Sequence, residues 1–126
     1  MLVVFYRGRS VNDTDTVLDH HLDAFASQDL EEIMVDYAED STVVTNLGVY
    51  RGLDGIEELF VGLFEEFSQD GTTLEVDDTI VEDDFAYLLW HAETPDQVYE
   101  FCTDTFYIPE NTIEFQTYAG KIESKD

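Results

Sequence analysis

The residues from Thr103 to Tyr118, TDTFYIPENTIEFQTY, constrain this chain more than any other stretch. Pro109-Glu110-Asn111 is a turn between two runs rich in β-branched and aromatic residues, so the segment reads as two antiparallel strands. Strand side chains alternate between faces. Asp104, Phe106 and Ile108 therefore share one side, and Thr103, Thr105 and Tyr107 the other. A carboxylate on the face of Phe106 and Ile108 either lines a cavity or is paired. The returning strand carries an amide, Gln116, among Phe115 and Tyr118.

From Thr72 onward everything reads as strand and turn. Strands are expected at Thr73–Val81, Phe85–Thr94, Gln97–Ile108 and Ile113–Ile122, with turns at Glu82-Asp83-Asp84 and Pro95-Asp96. The first half has a different period. Asp13-Thr14-Asp15 supplies helix-capping side chains, and Val17, Leu18, His21, Leu22 and Phe25 follow at helical spacing, predicting helix one over Asp15–Ser27. Asp29 to Glu32 is a capping box, and Leu30, Ile33, Met34 and Tyr37 make a short second helix ended by Glu39-Asp40. Ser41–Arg51 reads as a hairpin turning at Asn46-Leu47-Gly48. Helix three opens at Asp54 and carries Ile56, Leu59, Phe60, Leu63, Phe64 and Phe67 before Gly71 ends the region. Helices followed by hairpins give an α+β layout with the helices on one face of an antiparallel sheet.

A chain of 126 residues with no internal repeat is one domain. The expected divisions are an N-terminal tail or edge strand over 1–12, the domain over 13–122, and a charged tail over 123–126. The start, MLVVFYRGRS, runs apolar then basic, the reverse of a signal peptide, and no apolar run reaches membrane-span length. Thirty acidic residues against five Lys and Arg give a net charge of −25. Nucleic acid is a poor partner for such a chain, because phosphate neutralisation needs cations. The acids are spread throughout and interleaved with aromatics, which argues against disorder. The pattern resembles cytoplasmic proteins of extreme halophiles. Cys102 is the single cysteine, so no internal disulfide forms and a reducing cytoplasm fits.

Three stretches carry a resemblance: HHLDAFASQDLEEIMVDYAEDSTVVTNLG (20–48), YRGLDGIEELFVGLF (50–64), and AYLLWHAE with FCTDTFYIPENTIEFQTYAGKI (86–93 and 101–122). Together with the element order they resemble the nuclear transport factor 2-like superfamily, in its SnoaL-like and ketosteroid-isomerase-like branch. The resemblance implies a cystatin-like fold: a curved antiparallel sheet wrapped around the helices, a conical pocket between them, and a convex face that often makes a homodimer. It does not fix a reaction, because this fold hosts isomerases, cyclases, dehydratases and pure binding modules.

Under that resemblance Asp104 sits where ketosteroid isomerases and SnoaL-type cyclases place a pocket carboxylate. A carboxyl in an apolar cavity has its charged form disfavoured, so its pKa rises; ketosteroid isomerase is the standing example. The competing expectation is a carboxylate holding two strands in register. His21 lies where the isomerases place a pocket tyrosine, and imidazole serves as acid, base or donor near neutrality; a packed structural histidine is the alternative. His20 is expected to face solvent. Thr45 falls where the isomerases carry their proton-moving aspartate, and a threonine cannot do that work. Gln116, Tyr37 and Trp90 are further pocket candidates, with plain core packing the alternative for Trp90. Tyr87, Leu89 and His91 form an outward stripe suited to a second copy of the chain. The three His and one Cys lack zinc spacing, and no phosphate loop is present, so no metal or cofactor is expected. The expected ligand is a small neutral carbonyl or hydroxyl compound, handled by acid–base chemistry or simply bound.

Overall fold

The computed structural model describes residues 2–5 and 13–126, and only the backbone of 3–5. Its elements are β1 (Val3–Phe5), α1 (Asp13–Ser27), α2 (Leu30–Met34), β2 (Tyr37–Thr45), β3 (Gly48–Arg51), α3 (Gly52–Phe67), β4 (Thr73–Glu82), β5 (Phe85–Glu93), β6 (Gln97–Tyr107) and β7 (Ile113–Ser124). The strands form one seven-stranded sheet in the order β1-β4-β5-β6-β7-β2-β3. The α+β expectation holds.

Val3–Phe5 supplies an edge strand, parallel to β4. The other expectations for residues 1 and 6–12 lie outside the described residues. β4, β5, β6 and β7 run antiparallel in succession, and β2 joins β7 in parallel. The sheet bends at register breaks. Asp77 is an extra residue on β4 opposite β5, and Glu100 is an extra residue on β6 against both its neighbours. Such bulges increase the local twist and curl the sheet. Across the Glu100 bulge, Tyr99 and Cys102 both turn inward, three positions apart, and both are buried.

The helices fill the concave side. α1 buries Val17, Leu18, His21 and Leu22, and α3 buries Ile56, Phe60 and Phe67. Phe25 of α1 meets Phe60, Phe64 and Phe67 of α3 with ring centroids 5.4–6.5 Å apart, which locks the two helices together. The Thr14 hydroxyl donates to the Asp83 carbonyl in the β4–β5 turn, which ties the helix start to the sheet.

The second helix is shorter than its spacing suggested. Asp29 caps it as expected, accepting from the Glu32 N–H at 3.1 Å. It ends before Tyr37, which is the first residue of β2. The physical reason is the sheet: Ile113 N–H donates to the Asp36 carbonyl, and Tyr37 pairs with Ile113. Glu39-Asp40 therefore lies within β2, at the register break between Tyr37 and Thr42. Helix three begins at Gly52, earlier than Asp54; Gly52 has φ +74°, the left-handed region that glycine takes without strain. β7 continues to Ser124.

Candidate functional site

Between the concave face of the sheet and helices α1 and α3 lies a cavity of about 530 Å³. This is within the range of small-molecule sites. Its walls are mostly apolar, from Leu22 and Phe25 of α1, Phe60 and Phe67 of α3, and Leu74 and Leu88 of the sheet. Leu47, 78% exposed on the β2–β3 turn, also lines it and marks its mouth. The polar exceptions among the buried lining residues are His21, Asp104 and Gln116.

Asp104 is placed by alternation on β6, facing inward with Cys102 and Phe106. One carboxylate oxygen, Oδ1, accepts from the Trp90 indole N–H at 2.8 Å. The other, Oδ2, accepts from the Gln116 amide at 2.9 Å. Gln116 in turn accepts from the Tyr37 hydroxyl, which fixes its amide orientation. Burial pushes the Asp104 carboxyl up to about 6, with the Trp90 and Gln116 hydrogen bonds opposing the shift. Burial, then the nearby Asp104 charge, holds the Tyr37 phenol far above its ordinary range, so it remains a donor. Four of the residues singled out in the sequence, Tyr37, Trp90, Asp104 and Gln116, thus form one hydrogen-bonded chain.

His21 projects from α1 into the same cavity. Its ring meets Tyr37, Phe60 and Phe106 edge-on, at centroid distances of 6.1, 5.8 and 5.3 Å. Its Nδ1 is buried without a hydrogen bond, 4.0 Å from Asp36 Oδ2. Burial, aided by the neighbouring His20, lowers its pKa to about 3, so the imidazole is neutral at ordinary pH. His20 is half-buried rather than fully solvated. Its Nδ1 sits 2.8 and 2.9 Å from the two oxygens of Asp36, and its Nε2 sits 2.8 Å from Glu32. These carboxylates raise its pKa.

The sequence profile of the SnoaL-like domain matches residues 18–119. The chain belongs to the SnoaL-like domain family. An NTF2-like protein of unknown function from Mesorhizobium loti superposes with a TM-score of 0.75 at 16% identity, covering 94% of this chain and 98% of that one. A provisionally named polyketide cyclase from Sinorhizobium meliloti gives 0.71 at 18%, covering 86% and 99%. A provisionally named ketosteroid isomerase from Kribbella flavida gives 0.72 at 14%, covering 90% and 81%. At these identities the likeness is one of fold. No curated protein matches the chain in sequence.

Within this SnoaL-like domain, Thr45 also lines the cavity, but its hydroxyl is committed to the β2–β3 turn. It donates to the Gly48 carbonyl and accepts from the Leu47 and Gly48 N–H groups, each at 3.0 Å. Sequence reasoning passed over Tyr118, which pairs with Asp104 across the ladder and stacks on Trp90 at 5.9 Å. The signal was available: Tyr118 is two residues beyond Gln116 and so shares its face. Asp36 was also missed, and nothing local in the sequence marks it. On the outer face Glu75, Asp77 and His91 bring three possible ligand atoms within 4.8 Å of one another; all three are exposed, and His91 already pairs with Asp77 at 2.8 Å. Among the described residues no helix is long and apolar enough to cross a membrane.

Proposed function

We propose that this domain binds a small neutral carbonyl or hydroxyl compound in its cavity and moves a proton on it, as an isomerase, cyclase or dehydratase. One observation carries the reading. Of the 30 acidic residues, only Asp36 and Asp104 are buried, and Asp104 lines a mostly apolar cavity. A carboxylate with a pKa near 6 can take a proton near neutrality and give it back, the condition for an effective general base. Trp90 and Gln116 aim it, and Tyr37 fixes Gln116. His21 is the second acid–base group of the proposal, with Thr45 at the rim contributing shape. The apolar walls and the net charge of −25 disfavour anionic substrates.

The experiment is turnover of a panel of enolisable and β-hydroxy ketones by the wild type and by Asp104→Asn. Loss of about 10²–10⁴-fold in the variant is the expected result. Equal rates would remove the aspartate from the mechanism. A second reading has its own observation: both oxygens of Asp104 already accept hydrogen bonds, as in a carboxylate that holds strands in register. A non-catalytic binding domain or dimeric scaffold would take up ligand without turning it over.

The proposed assembly is a homodimer through the convex face. There Tyr87 and Leu89 of β5, Thr103, Thr105 and Tyr107 of β6, and Phe115, Thr117 and Ala119 of β7 present outward side chains without a single charge, in a chain almost a quarter acidic. Exposed uncharged area of this kind suits a self-complementary contact. The proposed setting is the cytoplasm of an extreme halophile, where an acidic surface stays hydrated and salt screens its self-repulsion. The proposed functional unit is residues 13–122.

A further inference from the structure

The buried carboxylate that the cavity chemistry leaves unused is Asp36, 5% exposed at the junction of α2 and β2. It stands between two adjacent histidines of α1. On the outer side, His20 is bracketed by carboxylates at both ring nitrogens, Asp36 at Nδ1 and Glu32 at Nε2. An acceptor at each nitrogen favours the doubly protonated ring, so the pair of carboxylates raises the His20 pKa. Burial raises the Asp36 pKa in turn, and the His20 hydrogen bond opposes that shift and favours the Asp36 anion. On the inner side, Asp36 Oδ2 faces the Nδ1 edge of His21 at 4.0 Å. That nitrogen is buried and makes no hydrogen bond.

A neutral imidazole carries its proton on one nitrogen or the other, and the neighbour of each nitrogen decides which. An anion beside Nδ1 favours the proton there. We propose that Asp36, anchored by His20, is a positioning residue that sets His21 in its Nδ1–H form and leaves the Nε2 lone pair free to accept from a ligand in the cavity. The consequence matches the other polar groups of the cavity floor. The Trp90 N–H and one N–H of Gln116 are spent on Asp104, and the Tyr37 hydroxyl is spent on Gln116. The lining thus sets acceptors, Asp104 and His21, beside the second N–H of Gln116 and the Tyr118 hydroxyl, and the ligand group that complements acceptors and donors together is a hydroxyl.

The inference rests on the proposed use of this cavity, but its test does not require turnover. The full chain labelled with nitrogen-15 at histidine is examined without ligand near pH 7, where long-range proton–nitrogen spectra distinguish the two neutral tautomers. His21 is assigned by the loss of its signals in His21→Gln. The wild type is expected to show the Nδ1–H pattern, and Asp36→Asn, which removes the charge, to lower the Nδ1–H to Nε2–H ratio by about tenfold, the scale of a charge–dipole effect at this separation. An Nε2–H pattern in the wild type overturns the proposal even if the variant fails to fold. An unchanged ratio in a folded Asp36→Asn also overturns it. Either result leaves the turnover test of Asp104 standing, so the two failures are separable.

Discussion

Burying a carboxylate costs free energy, and Asp104 carries that cost in a form that pH can expose. Its pKa is about 6 in the fold against an ordinary 3.8. A group with a raised folded pKa contributes stability that is complete below the lower value and is lost as pH rises through the upper one. The stretch between the two values is worth about 3 kcal/mol. Asp104→Asn stays neutral throughout and keeps an oxygen to accept from one of the two donors. The stability of Asp104→Asn relative to the wild type is therefore expected to improve by up to about 3 kcal/mol between pH 4 and 8. Paired urea melts at matched salt read this directly; a difference that does not vary with pH contradicts a desolvated Asp104. His21 works in the opposite sense. Its pKa is lowered to about 3, so its contribution is full above its ordinary value of 6.5 and fades as pH falls below it, equally in both proteins.

At the scale of elements, what was legible in the sequence was period. The alternation of Asp104, Phe106 and Ile108 against Thr103, Thr105 and Tyr107 is the alternation of buried and more exposed side chains in the fold. The stripe of α3 and the capping box at Asp29 were equally readable, because helical spacing and caps are local. Tyr37 was not, since a hydrogen bond from Ile113, far along the chain, ends the helix before it. The bulges at Asp77 and Glu100 left no local signal either, and they decide which side chains reach the cavity. Thr45 was placed at the cavity, but its bonding to the turn was invisible without coordinates. The Asp36 cluster joins three elements and so has no sequence period at all. β7 shows a further nonlocal fit. A Cβ added at Gly120 would lie 2.6 Å from the Tyr118 hydroxyl oxygen and 2.9 Å from Cys102 Sγ. Tyr118 covers this glycine while stacking on Trp90, an arrangement in which an aromatic ring packs over a strand glycine. Gly120→Ala is expected to push Tyr118 off Trp90 and to cost about 1–3 kcal/mol of unfolding free energy. Denaturant melts with near-ultraviolet circular dichroism check both effects, and wild-type values would show that the ring yields freely.

The whole molecule divides its charge by location. The acids spread over the surface carry the net −25, while the cavity walls are apolar and the convex face is uncharged where β5, β6 and β7 meet. Two buried acids break this division, and both belong to one connected region: Asp104 on the cavity floor and Asp36 behind His21. A cavity of about 530 Å³ has room for a small ligand beside that floor. The acid–base reading of the domain depends on Asp104 being held in an apolar hollow with its proton exchangeable near neutral pH. The direct measurement is a carbon-13 titration of the side-chain carboxyl of Asp104 in the intact protein at high salt, assigned by its loss in Asp104→Asn. A midpoint near pH 6 is expected; a midpoint at or below the ordinary 3.8 would mean a solvated or purely bonded carboxylate and would contradict the reading of this cavity as an acid–base site.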